Sequence, residues 1–535
     1  MSRLHYYFPA SKFEPRTLAV DFCLYGASPA GITAALEARR RGYRVALVIN
    51  SAWLGGLTAG GLSNTDIGNK QSIGGLSRAF YRELGRRYGV EEEWRFEPSM
   101  AERVFKDWLR EAEIEPLFRE YISSVEKNGE TITSITCESG LRVEAKIFID
   151  ASYEGDLLAL AGVSHTIGRE GNATYGELLN GVQVRETHQF EAPVSPYVRE
   201  GDPASGLLPG VSPEPLAPTG SGDSLVQAYN FRMCLTKAAN RLPFPKPEGY
   251  EPLNYELLAR YLRTGWRDLF HKFDRIRGQK VDTNNHGAVS TDFIGGNHDF
   301  PRASWQKREE IFQAHVRWQQ GLMWFLTNDP RCPAWVRERM GEWGLPVDEF
   351  TDTGGWARQL YIREARRMVS DYVVTELDCR GYRAADDAVG LGSYAMDSHN
   401  CQRVVVNGLV RNEGDVQVYG FNPYPISYRS IVPKRGEATN LFAPVCVSAS
   451  HIAYGSVRME PVFMILGQSA AIAGHLALLE KCSVQDVPYA KLRPLLLEEG
   501  QVLKWESPSP DSPAAYEPEA PPPADEPATT TKALA

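Results

Sequence analysis

The chain has 535 residues, of which 43% are apolar, 10% aromatic and 23% charged. That length holds two or three domains, and the composition excludes a chain disordered throughout, a collagen, a coiled coil and a small disulfide-stapled fold. The net charge of −9 lacks the basic excess of a nucleic-acid binder, and the eight cysteines form no C-x-x-C pair, which argues against a zinc ribbon, an iron–sulfur cluster or a disulfide framework.

Residues 1–18 contain no apolar stretch long enough for a signal peptide and no twin arginine, so they read as an arm outside the first domain and the protein is expected to be cytoplasmic. Val20 to Tyr25 is a short apolar run, predicted as a buried strand. Gly26 makes a tight turn, a helix follows from Pro29 to Arg41, and Tyr43 to Ile49 is a second strand parallel to the first. Residues 55–75 carry too many glycines for a plain helix and are predicted as a long loop. A helix is expected over 99–115, and alternation at 121–125, 130–138 and 141–145 predicts a small antiparallel meander. A strand at 145–150 then leads into Ala151-Ser152-Tyr153-Glu154-Gly155-Asp156 and completes a first domain over 19–192.

Residues 193–222, rich in Pro, Gly and Ser, read as a loop between domains. Residues 223–395 are expected to form a mostly helical substrate or cap region, with long helices over 304–327 and 358–377. Trp305, Trp318, Trp324, Trp335, Trp343 and Trp356 cluster there, to pack a core or line a substrate pocket. Residues 396–504 are expected to close the site. They include a helix from Glu460 to Lys481, apolar on most faces, with Pro461 in its first turn and with Gly467 and Gly474 on one face where another backbone can come close. No window reaches 18 uncharged apolar residues, so membrane insertion is not expected. The tail 505–535 is rich in proline and acidic residues and is expected to be disordered.

Gly26-Ala27-Ser28-Pro29-Ala30-Gly31 has the strand–turn–helix context of a dinucleotide-binding turn. Gly26 permits the turn and Gly31 lets the helix pack on the sheet. Ser28 stands where the fingerprint carries glycine, small enough to fit and with a hydroxyl that can donate to phosphate. The free N–H groups and dipole of the helix favour an anion there. The second strand ends at Asn50, where an acidic residue normally takes the ribose hydroxyls; asparagine can accept only through its carbonyl. Arg39, Arg40, Arg41 and Arg44 suit the carboxyl end of a helix better than a 2′-phosphate. No second fingerprint is visible.

Together with this turn, the stretches Trp53–Gly61, Phe148–Asp156, Ser290–Asn297, Asp397–Arg403 and Gly455–Met464 resemble the FAD-dependent oxidoreductases of the glutathione-reductase-like superfamily. More narrowly, residues 20–500 resemble a large bacterial family whose members are sometimes labelled xanthan lyase related. The resemblance implies an α/β fold, a Rossmann-like FAD-binding domain of the glutathione-reductase type with an inserted mixed α+β substrate domain. It implies FAD as cofactor, with the pyrophosphate at Gly26, Ser28, Pro29, Ala30 and Gly31 and the adenosine ribose at Asn50. Gly55, Gly56, Gly60 and Gly61 would follow FAD toward the flavin, and Asp150, Ala151 and Gly155 would return to it. Arg458, Glu460, Pro461 and Val462 would meet the pyrimidine edge, where a helix N-terminus stabilises negative charge in reduced flavin.

An alcohol-oxidising flavoenzyme needs a base near the flavin, most often histidine. His399 lies in a dense polar cluster with Asp397, Asn400 and Arg403, and His451 precedes residues 454–458, read as a loop that feeds the cofactor helix. These two are the candidate bases, with His286 and His298 behind them; all four also suit hydrogen-bonded turns. Arg403 and Arg458 are candidates to clamp a carboxylate or stabilise anionic flavin, with Glu460 pairing with Arg458 or orienting its loop. No H-E-x-x-H or facial-triad pattern occurs, so no metal is expected, and no G-x-S-x-G elbow supports a hydrolase.

The expected function is an FAD-dependent oxidoreductase that oxidises a hydroxyl of a small polar substrate such as a sugar, polyol or glycoside, by hydride transfer to flavin N5. The electron acceptor and a homo-oligomeric state are left open. The alternatives are flavin-dependent C–N oxidation, double-bond reduction, and a flavin-containing non-catalytic or RNA-modification partner.

Overall fold

The computed structural model describes residues 4–506; the remainder of the predicted disordered tail, 507–535, lies outside the described residues. Its centre is a five-stranded, wholly parallel sheet in the order Leu441–Phe442, Ile147–Asp150, Phe22–Tyr25, Val45–Ile49 and Pro116–Phe118. The runs FCLY, VALVI and IFID are apolar almost without alternation, because a parallel sheet is covered on both faces.

Helix Pro29–Arg40 joins the first two of these strands in sequence, and helix Glu460–Glu480 packs along it. A Cβ added at Gly467 would stand 2.3 Å from the Ala30 carbonyl oxygen, and one at Gly474 would stand 2.8 Å from the Phe22 ring. The two glycines therefore let this helix approach the first βα unit. The helix is long and apolar enough to cross a membrane, yet it is buried inside the protein, as a helix apolar all round must be.

A second sheet carries the meander, Ile122–Asn128, Thr131–Cys137 and Leu141–Glu144, and gains a fourth strand, Arg16–Ala19, parallel to the last. The N-terminal segment is thus not an arm outside the first domain. Leu4, Tyr6 and Tyr7 are buried, Tyr7 packs edge-on against Tyr121 with ring centroids 4.7 Å apart, and the Tyr6 hydroxyl donates to Glu154 over 2.6 Å. Three aromatic residues in the first eight described positions give this segment enough area to bury.

The region 223–395 is mixed rather than mostly helical. Met233–Thr236, Lys280–Thr283 and Phe273–Ile276 form an antiparallel sheet beside helices Glu256–Arg263, Trp305–Asn328 and Ala334–Gly341. Trp305, Trp318 and Trp356 pack the core, Trp318 stacking on Phe293 at 5.0 Å.

The helix expected over 358–377 does not form. Its backbone instead bonds to distant segments: Arg358 and Gln359 donate to Gly60, Tyr361 to Asn230, Met368 to Cys446 and Val374 to Ser448. Only Arg367–Met368 and the short helix Glu376–Cys379 are regular there. The glycine-rich 55–75 segment is also less loop-like than expected, because Gly56–Gly60 closes a short helix. All eight cysteines are free.

Candidate active site

The turn after Phe22–Tyr25 lies at the carboxyl end of the parallel sheet, where ligands of open α/β sheets bind. Gly26 has φ +127°, and a Cβ there would meet the Ser152 amide nitrogen at 2.3 Å. Ser28 is the N-cap of helix Pro29–Arg40, but its hydroxyl donates to the Ala151 carbonyl over 2.6 Å and is not free for phosphate as the sequence suggested. The amides of Ala27, Ser28 and Ala30 have no partner among the described residues, although all three residues are buried. Buried amides require an acceptor, and unpaired ones at the start of a 12-residue helix fit a pyrophosphate.

At the end of the second strand the Asn50 side-chain amide donates to Glu154 over 3.2 Å. A carboxylate therefore reaches the expected ribose position from the neighbouring 148–156 segment. Beyond it opens a cleft of about 960 Å³, lined among others by Phe8, Trp53, Lys106, Phe118, Arg119 and Arg358.

Gly55 and Gly56 take φ of +85° and +49°, and a Cβ on Gly56 would lie 2.4 Å from the Tyr153 hydroxyl and 3.0 Å from the Ser28 Cα. Gly60 and Gly61 instead give room to Gln359 and Arg232, so they serve contacts within the protein. Asp150 also acts internally, accepting from the Ser152 amide and hydroxyl and the Leu158 amide; burial lifts its carboxyl to about 6. Gly155, at φ +70°, starts helix Asp156–Leu160.

Glu460 opens the long C-terminal helix and does not pair with Arg458. It accepts from the Thr58 hydroxyl at 2.6 Å and the Tyr153 hydroxyl at 2.9 Å, and burial lifts its carboxyl to about 7. The next residue, Pro461, accepts from the Ser77 hydroxyl through its carbonyl, and Val462 is buried. Helix Gly56–Gly60, the 150–156 segment and helix Glu460–Glu480 thus meet at one buried acid.

Next to this junction lies a buried network of charge. His399 Nδ1 is 2.7 Å from Asp292 Oδ2, and the other Asp292 oxygen is 3.1 Å from Arg363. Among the described residues His399 Nε2 has no hydrogen bond within 3.5 Å, and the Asp397 carboxylate faces it at 3.6 Å. Burial alone would raise both aspartates, but Arg363 and His399 hold Asp292 down, and His399 and Arg458 hold Asp397 far down. Arg458 ends helix His451–Val457, donates to the Tyr361 hydroxyl and the Asp397 carbonyl, each over 2.9 Å, and keeps a buried, unbonded Nε. Arg363 lies over the Tyr361 ring at 4.4 Å. Toward solvent follow Asp66 and Tyr394, which bond at 3.2 Å, and the exposed Tyr419.

His451 has a different setting. Residues 451–457 are a helix, not a loop, and His451 is its first residue, with Ser450 as N-cap. Its Nδ1 is 2.7 Å from Glu364 and its Nε2 is 2.9 Å from the Ser398 hydroxyl, so both ring nitrogens are engaged by the protein. His451 and Arg367 hold the Glu364 carboxyl at about 2 against the opposing pull of burial. This histidine has no nitrogen left for a substrate.

Arg403 is buried on the strand Gln402–Val406 and donates to the Ala288 carbonyl over 3.2 Å, while the Asp292 charge acts on it from nearby. Burial pushes its guanidinium down to about 10. His298 accepts from the Val226 amide, and His286 pairs with Asp268.

The structure therefore brings His399 and Arg458 to one place, whereas His451 and Arg403, which the sequence had grouped with them, spend their hydrogen bonds on other protein groups. Asp292, Arg363, Tyr361 and Glu154 join the site without having been singled out in the sequence. Asp292 and Glu154 lay within matched motifs, which was a usable signal. Arg363 and Tyr361 lay inside a helical pattern that hid them.

Among solved structures, an L-proline dehydrogenase from P. horikoshii is 19% identical over 30% of this chain and 26% of its own, with a TM-score of 0.18. A flavoprotein/dehydrogenase from Cytophaga hutchinsonii is 16% identical over 27% of this chain and 42% of its own, TM-score 0.22. Sdh1 of Mycobacterium smegmatis is 16% identical over 29% and 42%, TM-score 0.22. The matched part spans less than half of each of these proteins. No curated protein matches the sequence. Residues 21–496 match the family described as FAD dependent oxidoreductase, and because that match takes in the dinucleotide turn, the Asp292–His399 pair and the C-terminal helix, the chain belongs to this family and is an FAD-dependent oxidoreductase with a Rossmann-like fold and FAD as its cofactor.

Proposed function

We propose that the enzyme oxidises a hydroxyl-bearing carbon of a small polar substrate, of the sugar, polyol or glycoside class, with His399 as the base. The observation that carries this reading is the Asp292–His399 pair with its unbonded Nε2. FAD, when bound, supplies the hydride acceptor. Asp292 orders the proton onto Nδ1 and so leaves Nε2 as an acceptor, which can take the hydroxyl proton as the carbinol hydrogen departs. Once His399 is protonated, Asp397 at 3.6 Å stabilises the imidazolium. Arg363 holds Asp292 in place, and Arg458 holds Asp397 and Tyr361. Asp66, Tyr394 and Tyr419 on the solvent side give acceptors and donors suited to a polyhydroxylated ligand.

The test is anaerobic mixing of the FAD-loaded protein with a panel of polyols, sugars, glycosides, amines and amino acids, following loss of flavin absorbance. At least one hydroxyl compound should reduce the flavin, with a rate that rises with pH. His399→Asn should retain FAD, lose that pH dependence and slow reduction by about 10²–10⁴-fold. Wild-type rates in H399N would remove His399 as the base. Bleaching by amines alone would shift the reading to C–N oxidation.

A further inference from the structure

On the cap surface, away from the Asp292–His399 pair, two imidazoles share one carboxylate oxygen. His286 Nε2 lies 2.8 Å from Asp268 Oδ2, and His271 Nδ1 lies 3.5 Å from the same atom. The two rings are stacked, with centroids 4.4 Å apart and planes 17° from parallel. All three potential ligand atoms lie within 4.8 Å of one another. Sequence spacing concealed the group. Asp268 and His271 sit between helix Glu256–Arg263 and strand Phe273–Ile276, while His286 follows strand Lys280–Thr283, and only the pairing of these two strands brings them together.

We propose that Asp268, His271 and His286 form a binding site for a divalent transition-metal ion of the zinc class. Two imidazoles and one carboxylate are a borderline donor set, which suits Zn²⁺, Co²⁺, Ni²⁺ or Cu²⁺ and not Mg²⁺ or Ca²⁺. A tetrahedral zinc with bonds of about 2.0–2.2 Å places its donor atoms roughly 3.3–3.5 Å apart. The observed 2.8 and 3.5 Å to the shared carboxylate oxygen bracket that spacing, and the two stacked imidazoles turn out of parallel for both nitrogens to face one ion.

The Asp268 carboxylate meets no side chain other than these two histidines among the described residues. Asp268 and His271 are more than half exposed, so an ion has access and a water can complete its shell. His286 has a firmer backing, with Trp266 stacked behind it at 6.3 Å and His188 edge-on at 5.7 Å.

The other converging acidic group, Glu97, Asp348 and Glu349, makes an instructive contrast. The Lys280 ammonium already sits among its oxygens at 2.6, 2.8 and 3.0 Å, so that cluster has its cation. The proposed ion would tie the 264–272 segment to the segment that runs from His286 into Asp292. Binding of the metal stands independently of the function proposed above.

The experiment uses the full FAD-loaded chain, treated with chelator and dialysed. ZnCl₂ is titrated calorimetrically, and CoCl₂ is followed by visible absorption. One saturable zinc site per chain is expected, with the intense bands of tetrahedral Co²⁺. His271→Ala and His286→Ala should each weaken zinc binding by more than the roughly 10–100-fold that losing an outer-shell partner costs, while the control His5→Ala should not. Zinc should raise the melting temperature of the wild type and leave that of H271A unchanged. Because His271 is exposed, the metal-free melting temperature of H271A should equal that of the wild type. Absence of saturable zinc binding overturns the proposal, and so does wild-type affinity in both H271A and H286A.

Discussion

Glu460 offers a sharp test of how the cofactor-side junction is built. Its carboxyl accepts from the Thr58 and Tyr153 hydroxyls, has no cationic partner among the described residues, and is lifted by burial from an ordinary 4.5 to about 7. In the unfolded chain the same group ionises near its ordinary value. Between these limits the folded protein holds a proton that the unfolded chain releases. Stability is therefore greatest below the lower limit, falls as pH rises toward 7 and levels off above it. The size of the shift makes ionisation in the folded state worse by about 3 kcal/mol.

Glu460→Gln removes the charge while keeping a carbonyl to accept from Thr58. The variant should equal or fall slightly below the wild type at pH 5, and should exceed it by up to about 3 kcal/mol at pH 8. For a chain of this size, that amounts to several degrees or more in melting temperature. The assay is thermal unfolding of both proteins, equally loaded with FAD, across pH 5 to pH 8.5. Parallel curves for the two proteins would refute the reasoning, because they would mean that Glu460 ionises in the folded state as it does in water.

Two further expectations concern residues whose roles the structure changed or sharpened. His451→Ala should act mainly on stability, leaving the buried Glu364 carboxylate without one of its partners at a cost of about 3–5 kcal/mol; chemical denaturation measures this, and a fully stable H451A with strongly slowed flavin reduction would reverse the roles given to His451 and His399. Gly467→Val should lower stability by at least about 1–3 kcal/mol, because its Cβ would stand 2.3 Å from the Ala30 carbonyl and the helix pair has no room to yield; an unchanged melting temperature would contradict the close approach of the two helices.

The local pattern of the chain determined much of the cofactor half. FCLY, VALVI and IFID are apolar runs whose strand identity depends on their own residues, and Gly26 and Gly31 mark a turn that few other residues can make. Pro461 likewise marked a helix start that the fold keeps. These features are decided over a few neighbouring positions, so sequence periodicity reports them. The matched motifs also held Asp292, His399 and Glu154, without indicating which would touch.

Tertiary structure decided the rest, and the 358–377 segment shows why. Its spacing suits a helix, but Gly60, Asn230, Cys446 and Ser448 offer its amides acceptors from far along the chain, and extended backbone there threads Tyr361 and Arg363 into the charged network. The two candidate histidines were separated in the same way. His451 looked free in the sequence, yet folding gives it Glu364 on one side and Ser398 on the other, whereas His399 receives Asp292 on one nitrogen and keeps the other open. A side chain's hydrogen-bonding partners are set by residues that neighbour it only in space. The sequence could name the groups able to do the chemistry, and packing decided which of them still had a hand free.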